Sequence, residues 1–533
     1  MSPRRTDRAA DPSARGLPLW AAALAAAAGG FALDLSFPSA GIWPLAFVAV
    51  ALSLASLIGR TYGSAILVGA LFGATFYFPH IDWAAHFLGD NPLAWVPWAA
   101  LAGIETLFMA LGALAIAAAY RWLPRVTSPG PLRHILTALL VAGVWTAREI
   151  VMGSWPYGGF PWGRIGMSQS ESPLAPVASW VSVSGLSFLI VLLAAALVEA
   201  VRVALRHGPR APRSWSALAI PALAGVALAL VPAFPTTAAG EMSIAAVQGN
   251  GPAAYLDARG PYDVLDAQIA ATAPVAGQDV DLVVWPEGGV DADPLRDPAA
   301  AAQLDAQVAA LDAPLLMNAA IDDGDLVYNR SLLWTADGPA ADHSKRYPVP
   351  FGEYVPQREL YERLAPSLVG MIGREYTPGT DAPNMVVDGV GIGLAICFDV
   401  LFDDLVFESI DGGAQVLAFQ TNNADFRGTD ENLQQLAVAR MRAIETGRSV
   451  VNVSTVGTSQ VIAPDGTTVV SLAADEAGAI VADVELRDGT TPAVAAGGGI
   501  RAALTWFPIA GLAIAGALAD RLRRLGAAAR PGA

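Results

Sequence analysis

Two hydrophobic patterns divide the chain. Over the first 234 residues, long apolar runs alternate with short polar segments, and from residue 242 the runs become short and β-rich. The long runs fall at 17–33, 42–58, 63–78, 93–119, 135–152, 175–200 and 216–234, with an eighth at 502–519. Each approaches the roughly 20 residues that a helix needs to cross a hydrocarbon core, the third being short. The first run is long for a signal peptide and is followed by six more, which predicts a retained anchor. The pattern predicts a tail at 1–16, a membrane bundle of seven helices at 17–234, an inserted segment at 235–500, an eighth membrane helix at 501–520 and a second tail at 521–533.

Within the insert, β-rich runs occur at 243–247, 281–285, 315–320, 328–334, 390–397, 416–421, 449–454 and 467–472. Helical stretches at 262–272, 299–311, 400–410 and 431–445 lie between several of them. Strands alternating with helices predict one α/β domain with a layered core.

Charge sharpens this division. The insert carries 38 acidic and 13 basic residues, whereas the rest of the chain carries 10 acidic and 19 basic. An acidic insert argues against nucleic-acid binding, which needs a positive surface. At 54% hydrophobic and 15% charged, the whole is too apolar for an ordinary soluble enzyme. Arginines alternate between the loops. One side collects Arg4, Arg5, Arg8, Arg15, Arg60, Arg121, Arg125, Arg133, Arg202, Arg206, Arg210, Arg213, Arg521, Arg523, Arg524 and Arg530, and the other keeps Arg148, Arg164 and Arg501. By the positive-inside rule, both termini are cytoplasmic and 235–500 lies outside the cytoplasmic membrane. Trp20, Trp43, Trp83, Trp95 and Trp98 stand near run ends and read as an interfacial belt. Glu105, Arg148 and Glu149 fall within runs, where ionisable groups pair with each other or face a cavity. The loop at 148–173, with Trp155, Tyr157, Phe160 and Trp162, is expected near the lipid-facing mouth of a site. His80 and His86 flank Asp82 and read as solvated loop histidines; no metal is expected.

The chain has a single cysteine, Cys397, and a single lysine, Lys345, beside 31 arginines. One cysteine excludes an intrachain disulfide and suggests a reactive thiol. A lone Lys among arginines suggests a position where a compact ammonium is required and a flat guanidinium fails. Three segments carry the chemistry: VDLVVWPEGG with Glu287, DHSKRYPVPFGEYVP with Lys345 and Glu353, and VGIGLAICFDVLF with Cys397. Strand ends followed by loops are where α/β active sites collect. A thiol at a strand-to-helix turn is expected to meet helix N-terminal N–H groups that favour thiolate. A carboxylate to take the thiol proton and an ammonium to stabilise an oxyanion complete the minimum for acyl transfer through a thioester. His343 reads as a loop side chain without a part in this.

Glu, Lys and Cys in this order, in these contexts, resemble the nitrilase superfamily, and ARMRAIETGRSVV (439–451) resembles its helix and following strand. Placed between a membrane bundle and a last membrane helix, such a domain resembles the apolipoprotein N-acyltransferase family. VQGN (247–250), GFPWGRIGMSQ (159–169) and FGEYVP (351–356) carry that resemblance further. It implies an α-β-β-α sandwich outside the cytoplasm on about eight transmembrane helices. It also implies that Cys397 takes an acyl chain from a membrane phospholipid, with Glu287 as general base and Lys345 at the oxyanion. Glu353 matches the family's second essential glutamate. The acceptor would be the α-amine of a diacylglyceryl-cysteine lipoprotein, with no cofactor, and the protein would act as a monomer. Phe398, Asp399, Gln248, Asn250 and Trp162 would contact substrate.

Phe398 and Asp399 stand where the family usually has Tyr and Glu. In TNNADF (421–426), Asp425 replaces a Trp, and VNVSTVGTS (451–459) lacks an Asn. These departures bear on acyl-chain or acceptor preference. Two other readings are a membrane-tethered amidase using the same triad with water, and a non-catalytic lipid or lipoprotein carrier.

Overall fold

The computed structural model describes residues 16–208 and 211–528. Arg4, Arg5, Arg8, Arg15, Arg210 and Arg530 lie outside the described residues. Every apolar run forms a helix: α1 (Leu19–Asp34), α2 (Leu45–Leu57), α3 (Tyr62–His80), α4 (Trp95–Val126), α5 (Pro131–Met152), α6 (Ala178–His207) and α7 (Pro212–Ala229). The segments Tyr62–His80, Trp95–Val126, Pro131–Met152, Ala175–His207 and Pro492–Leu525 are long and apolar enough to cross a bilayer, while Leu19–Asp34 and Leu45–Leu57 are apolar but shorter. Small residues bring α3 and α4 together: a Cβ added to Gly69 would stand 2.3 Å from that of Ala113. Two ionisable groups near the end of α5 find partners inside the bundle, although Glu149 Oε2 is buried without one. Arg148 bonds the Tyr77 hydroxyl at 3.2 Å and Glu149 at 3.4 Å, and Glu149 also accepts from Trp145 Nε1 at 2.9 Å.

The insert forms β1 (Thr237–Gln248), α8 (Asp263–Thr272), β2 (Leu282–Val284), α9 (Pro298–Leu311), β3 (Leu315–Asp323), β4 (Leu326–Thr335) and β5 (Gly338–Ser344). After α10 (Arg358–Leu364) and α11 (Pro366–Val369) come β6 (Asn384–Val387), β7 (Val390–Ile396), α12 (Asp403–Asp411), β8 (Val416–Thr421) and α13 (Glu431–Thr446). Then follow β9 (Ser449–Ser454), β10 (Ser459–Ile462), β11 (Thr468–Leu472) and β12 (Gly478–Asp488). Two six-stranded sheets result, ordered β12-β1-β2-β3-β4-β5 and β11-β10-β9-β8-β7-β6. The central ladders β1–β2–β3 and β7–β8–β9 are parallel, which suits strands apolar on both faces.

Strand alternation divides the core into layers. Ile244, Ala246, Leu282 and Val284 of the first sheet meet Ile392, Leu394, Val416, Ala418 and Val451 of the second. Their neighbours Ala245, Val247, Val283 and Trp285 turn outward onto Leu265, Leu304 and Val308 of α8 and α9. The outer face of the second sheet, with Leu417, Phe419 and Val450, packs on Leu405, Val438 and Met441 of α12 and α13. That cluster runs on into Phe76, Trp145 and Ile190 of the bundle. The domain is therefore an α-β-β-α sandwich whose second helical layer is shared with the bundle.

The last helix, α14 (Pro492–Ala528), starts inside the segment expected to end at 500. Thr491 accepts from Ala495 N at 3.0 Å, and Pro492 opens the helix, where its missing N–H costs no hydrogen bond. A Cβ on Gly497 would fall 2.4 Å from the Phe407 ring, so this glycine lets α14 press against α12. Trp83 is a second departure: it is buried at 7% exposure under the sandwich, with its Nε1 donating to Gln434 of α13 at 3.2 Å.

Candidate active site

Three strand ends deliver the sequence's three chemical segments to one place. Glu287 follows β2, Lys345 follows β5 and Cys397 follows β7. Lys345 is 1% exposed and lies between two carboxylates, with Nζ 2.9 Å from Glu287 Oε1 and 2.8 Å from Glu353 Oε2. Glu353 Oε2 also accepts from Val349 N at 2.7 Å, which folds the segment after Lys345 back onto its ammonium. Asn329 of β4 bridges the carboxylates from below, donating Nδ2 to Glu287 Oε1 at 2.7 Å and to Glu353 Oε1 at 3.3 Å. Asn318 of β3 fixes Asn329: its Nδ2 donates to Asn329 Oδ1 at 2.9 Å, and its own Oδ1 accepts from Gly288 N at 2.7 Å. Among the described residues Glu287 Oε2 has no hydrogen-bond partner.

Cys397 holds a left-handed backbone, φ +52, at the corner where β7 breaks into a short 3₁₀ turn, Cys397–Leu401. A non-glycine residue in that region is strained, and such strain collects at functional sites. The thiol is partly exposed.

The electrostatics reverse one expectation. Burial, and then the Glu287 carboxylate, push the Cys397 thiol well above its usual range against the pull of Lys345, which disfavours the thiolate. Five residues of 3₁₀ turn offer too little aligned dipole to hold a thiolate. Burial raises the Glu287 carboxyl, opposed by Lys345. Burial would lower the Lys345 ammonium, but Glu287 and Glu353 outweigh it and hold Lys345 well above the usual value. The site thus pairs a buried cation with a carboxyl of raised basicity beside the Cys397 thiol.

Residues 29–196 match the family described as Apolipoprotein N-acyltransferase N-terminal domain, and residues 243–491 match Carbon-nitrogen hydrolase. The apolipoprotein N-acyltransferase of Mycolicibacterium smegmatis is 34% identical over 94% of this chain and 86% of its own length. That of Azotobacter vinelandii is 30% identical over 97% and 98%. The chain belongs to the apolipoprotein N-acyltransferase family. Among solved structures, a CN-hydrolase superfamily protein from Xanthomonas campestris aligns with 50% of this chain and 97% of its own at 22% identity and a TM-score of 0.36.

In this member of the apolipoprotein N-acyltransferase family, the residues expected to contact substrate divide into two groups. Phe398 and Trp162 join an aromatic track from the cysteine turn to the bundle. Phe398 stacks on Phe160 at 6.0 Å, Phe160 on Trp162 at 6.0 Å, and Trp162 meets Trp83 at 4.9 Å. On the other side Phe398 meets Phe402 at 5.3 Å, and Phe402 stacks on Tyr347 at 3.8 Å. Asp399, Gln248 and Asn250 are instead engaged by the protein itself. Asp399 is fully buried and accepts from the backbone N–H of Tyr347 at 2.8 Å and of Arg346 and Ile396 at 3.3 Å. It fastens the lysine loop to the cysteine turn, which makes it structural; burial pushes its carboxyl up to about 6. Gln248 donates to the carbonyls of Ala473 and Glu476 at 2.9 and 2.8 Å. Asn250 donates to the Asp475 carbonyl at 2.7 Å and accepts from Arg427 at 3.0 Å. Neither shares a hydrogen bond with Glu287, Lys345 or Cys397. His343 lies on strand β5 and not in a loop, fully buried with Nδ1 2.7 Å from Asp381, whose carboxylate also accepts from Ser344 N at 2.9 Å.

The aromatic loop after α5 is mostly packed between bundle and sandwich. Trp162 donates to Gln434 at 2.7 Å, while Arg164 forms a fork with Asp403 at 3.0 and 2.9 Å; Trp155 alone of its tryptophans stays 63% exposed. Asn329, Asn318 and Gln435 were not legible as site residues. The one available signal for Asn329 and Asn318 was a polar side chain inside an apolar strand.

Proposed function

We propose that the protein moves a fatty acyl chain from a membrane phospholipid to the N-terminal amine of a diacylglyceryl-cysteine lipoprotein through a thioester on Cys397. The observation that carries this reading is the buried Glu287–Lys345–Glu353 group at the cysteine turn, joined by an aromatic track to an apolar helix bundle. The track is a path for an acyl chain from bilayer to sulfur.

In the first half-reaction Glu287 takes the thiol proton while Sγ attacks the ester carbonyl carbon. The carbonyl oxygen becomes an oxyanion beside the Lys345 ammonium. Collapse breaks the carbon–oxygen bond, and Glu287 returns the proton to the departing lysophospholipid alkoxide. In the second, the acceptor amine attacks the thioester carbon, Glu287 takes a proton from nitrogen, and the carbon–sulfur bond breaks. The proton then passes to sulfur, and an amide and a free thiol remain. Glu353 and Asn329 keep Lys345 and Glu287 in register. No step calls for a cofactor or a metal.

The Arg distribution supports eight membrane spans with both termini cytoplasmic and the domain at 235–500 outside the cytoplasmic membrane; a monomer is the reading for one bundle anchoring one such domain. Both substrates then share the leaflet that the site faces. The domain's net negative charge gives nucleic acid no purchase.

Intact mass after incubation with phospholipid vesicles tests the chemistry. Wild type should gain one acyl mass that hydroxylamine removes, and Cys397→Ala should gain none. Free fatty acid released steadily, without transfer to a diacylglyceryl peptide, would favour the amidase; no adduct on lipid-bound protein would favour a carrier.

A further inference from the structure

The sulfur of Cys397 has a hydrogen-bond partner outside the Glu–Lys–Cys group. Gln435 of α13 donates Nε2 to Sγ at 3.6 Å. Its Oε1 accepts from Asn423 Nδ2 at 2.9 Å, and the same Nδ2 donates its other proton to Glu431 Oε2 at 2.7 Å. Asn423 Oδ1 accepts from Ser454 Oγ at 2.5 Å and from Thr421 Oγ1 at 3.3 Å. Ser454 Oγ itself accepts from the backbone N of Gly457 at 2.8 Å. Gln435, Asn423, Glu431 and Ser454 are all buried.

The direction of this chain is dictated from its far end. A backbone N–H can only donate, and the N–H groups of Gly457 and, at 3.4 Å, of Val456 occupy both acceptor sites of Ser454 Oγ, so its single hydroxyl proton goes to Asn423. That makes the atom of Asn423 facing Ser454 its oxygen, and turns Nδ2 towards Glu431 and Gln435. Gln435 must then present its oxygen to Asn423 and its N–H to sulfur, so the amide orientation follows from the network. An N–H aimed at sulfur favours the thiolate over the thiol. Such a donor has work to do here, because burial and the carboxylates of Glu287, Glu431 and Glu353 disfavour the thiolate and Lys345 alone among the facing charges favours it.

We propose that Gln435 is a further catalytic residue, donating Nε2–H to the Cys397 sulfur as it acquires thiolate character, and that Asn423 and Ser454 are positioning residues that fix the direction of that donor. Sulfur carries this charge twice in the reaction, when it loses its proton to Glu287 and attacks, and when the carbon–sulfur bond breaks. The inference rests on Cys397 being the acyl-carrying nucleophile.

Cys397 is the chain's one cysteine, so iodoacetamide reports on this thiol alone. The full chain in detergent micelles is alkylated across pH 6 to 10, and its acyl-enzyme is formed from vesicles of phosphatidylethanolamine and phosphatidylglycerol. Gln435→Leu should move the alkylation profile up by about one pH unit and slow acyl-enzyme formation about 10- to 100-fold, the effect of one hydrogen bond to a charged group. Gln435→Glu keeps the size and still accepts from Asn423, but turns an acceptor to sulfur; it should shift the profile in the same direction, and it decides the matter if the leucine variant does not fold. Wild-type alkylation profiles and wild-type acylation rates in the folded variants would overturn the proposal. A purely structural role would lower the melting temperature and leave the alkylation profile in place, which also overturns it. A shifted profile with no acyl adduct on wild type would keep the donor to sulfur and sink the acyl-transfer reading instead.

Discussion

At the scale of single residues, Lys345 answers the question posed by its being the chain's one lysine. Its ammonium is fully buried between carboxylates 2.9 and 2.8 Å away, a gap that a point charge fills and a planar fork does not. Lys345→Arg should therefore slow acyl-enzyme formation by roughly 100-fold, the scale of losing one oxyanion donor, with lipid binding retained. Quenched-reaction mass spectrometry measures this; an arginine variant of normal rate would contradict the reading. Glu431 supplies a prediction on stability. Burial pushes its carboxyl up to about 8, opposed by the hydrogen bond from Asn423. A raised value means that the folded state favours the protonated acid. The stabilisation is full below the unfolded value near 4.3 and is lost as pH rises through about 8. Glu431→Gln lacks this titration. Its melting temperature should gain on wild type between pH 5 and 8, by roughly 2–4 °C for each kcal/mol of difference. Parallel melting curves over that range would show that Glu431 ionises as it does in water. Glu287, Lys345 and Cys397 were legible because each stands at a strand end in an apolar context. Gln435 was not, because a helix sequence does not say which neighbour a glutamine amide meets.

At the scale of elements, α13 and the cysteine turn are locked to the bundle by buried charges. Asp403 at the start of α12 takes a fork from Arg164 and a bond at 2.8 Å from Arg442. Burial works against the Asp403 carboxylate, yet Arg164 and Arg442 hold it far below the usual range. Glu445 of α13 accepts from Val183 N at 2.8 Å, beside the left-handed kink at Ser182 of α6. Arg442 also caps the carbonyls of Val400 and Leu401 at 2.8 Å each, just past Cys397. Asp403→Asn would leave the buried Arg164 guanidinium without its counter-charge and Arg442 with Glu445 alone, and should cost about 3–5 kcal/mol of stability, read by thermal or denaturant unfolding. A loss within 1 kcal/mol would mean that the fork contributes no more than an exposed pair. Helix α13 was legible from its periodicity, whereas β5, β6, β10 and β12 were not. β6 and β10 have only four residues each, and β5 is a partly exposed sheet edge. Such strands are held by their neighbours' ladders more than by their own hydrophobic pattern.

At the scale of the whole molecule, the prediction concerns sidedness. In a Cys397→Ala chain, Asp337→Cys on the exposed β4–β5 turn should react with an impermeant maleimide in spheroplasts, and Arg125→Cys at the exposed end of α4 only after lysis. The reverse pattern would place the sandwich in the cytoplasm. The sequence by itself determined the elements whose signal is local: apolar runs long enough for membrane helices, the parallel core strands, and the three strand-end residues with their order. It also carried the family resemblance, because the motifs are contiguous. Only the tertiary structure decided which polar groups are consumed by the fold and which are left for chemistry. Asp399, Gln248 and Asn250 read like site residues, yet backbone and side-chain partners distant in sequence claim their polar atoms. Trp83 reads as an interfacial residue, yet the sandwich covers it. The turn at Cys397 reads as favouring the thiolate, yet burial and Glu287 push the thiol up. Each outcome depends on desolvation and on hydrogen bonds between residues far apart in the chain, and neither quantity exists until the two sheets and the bundle have come together.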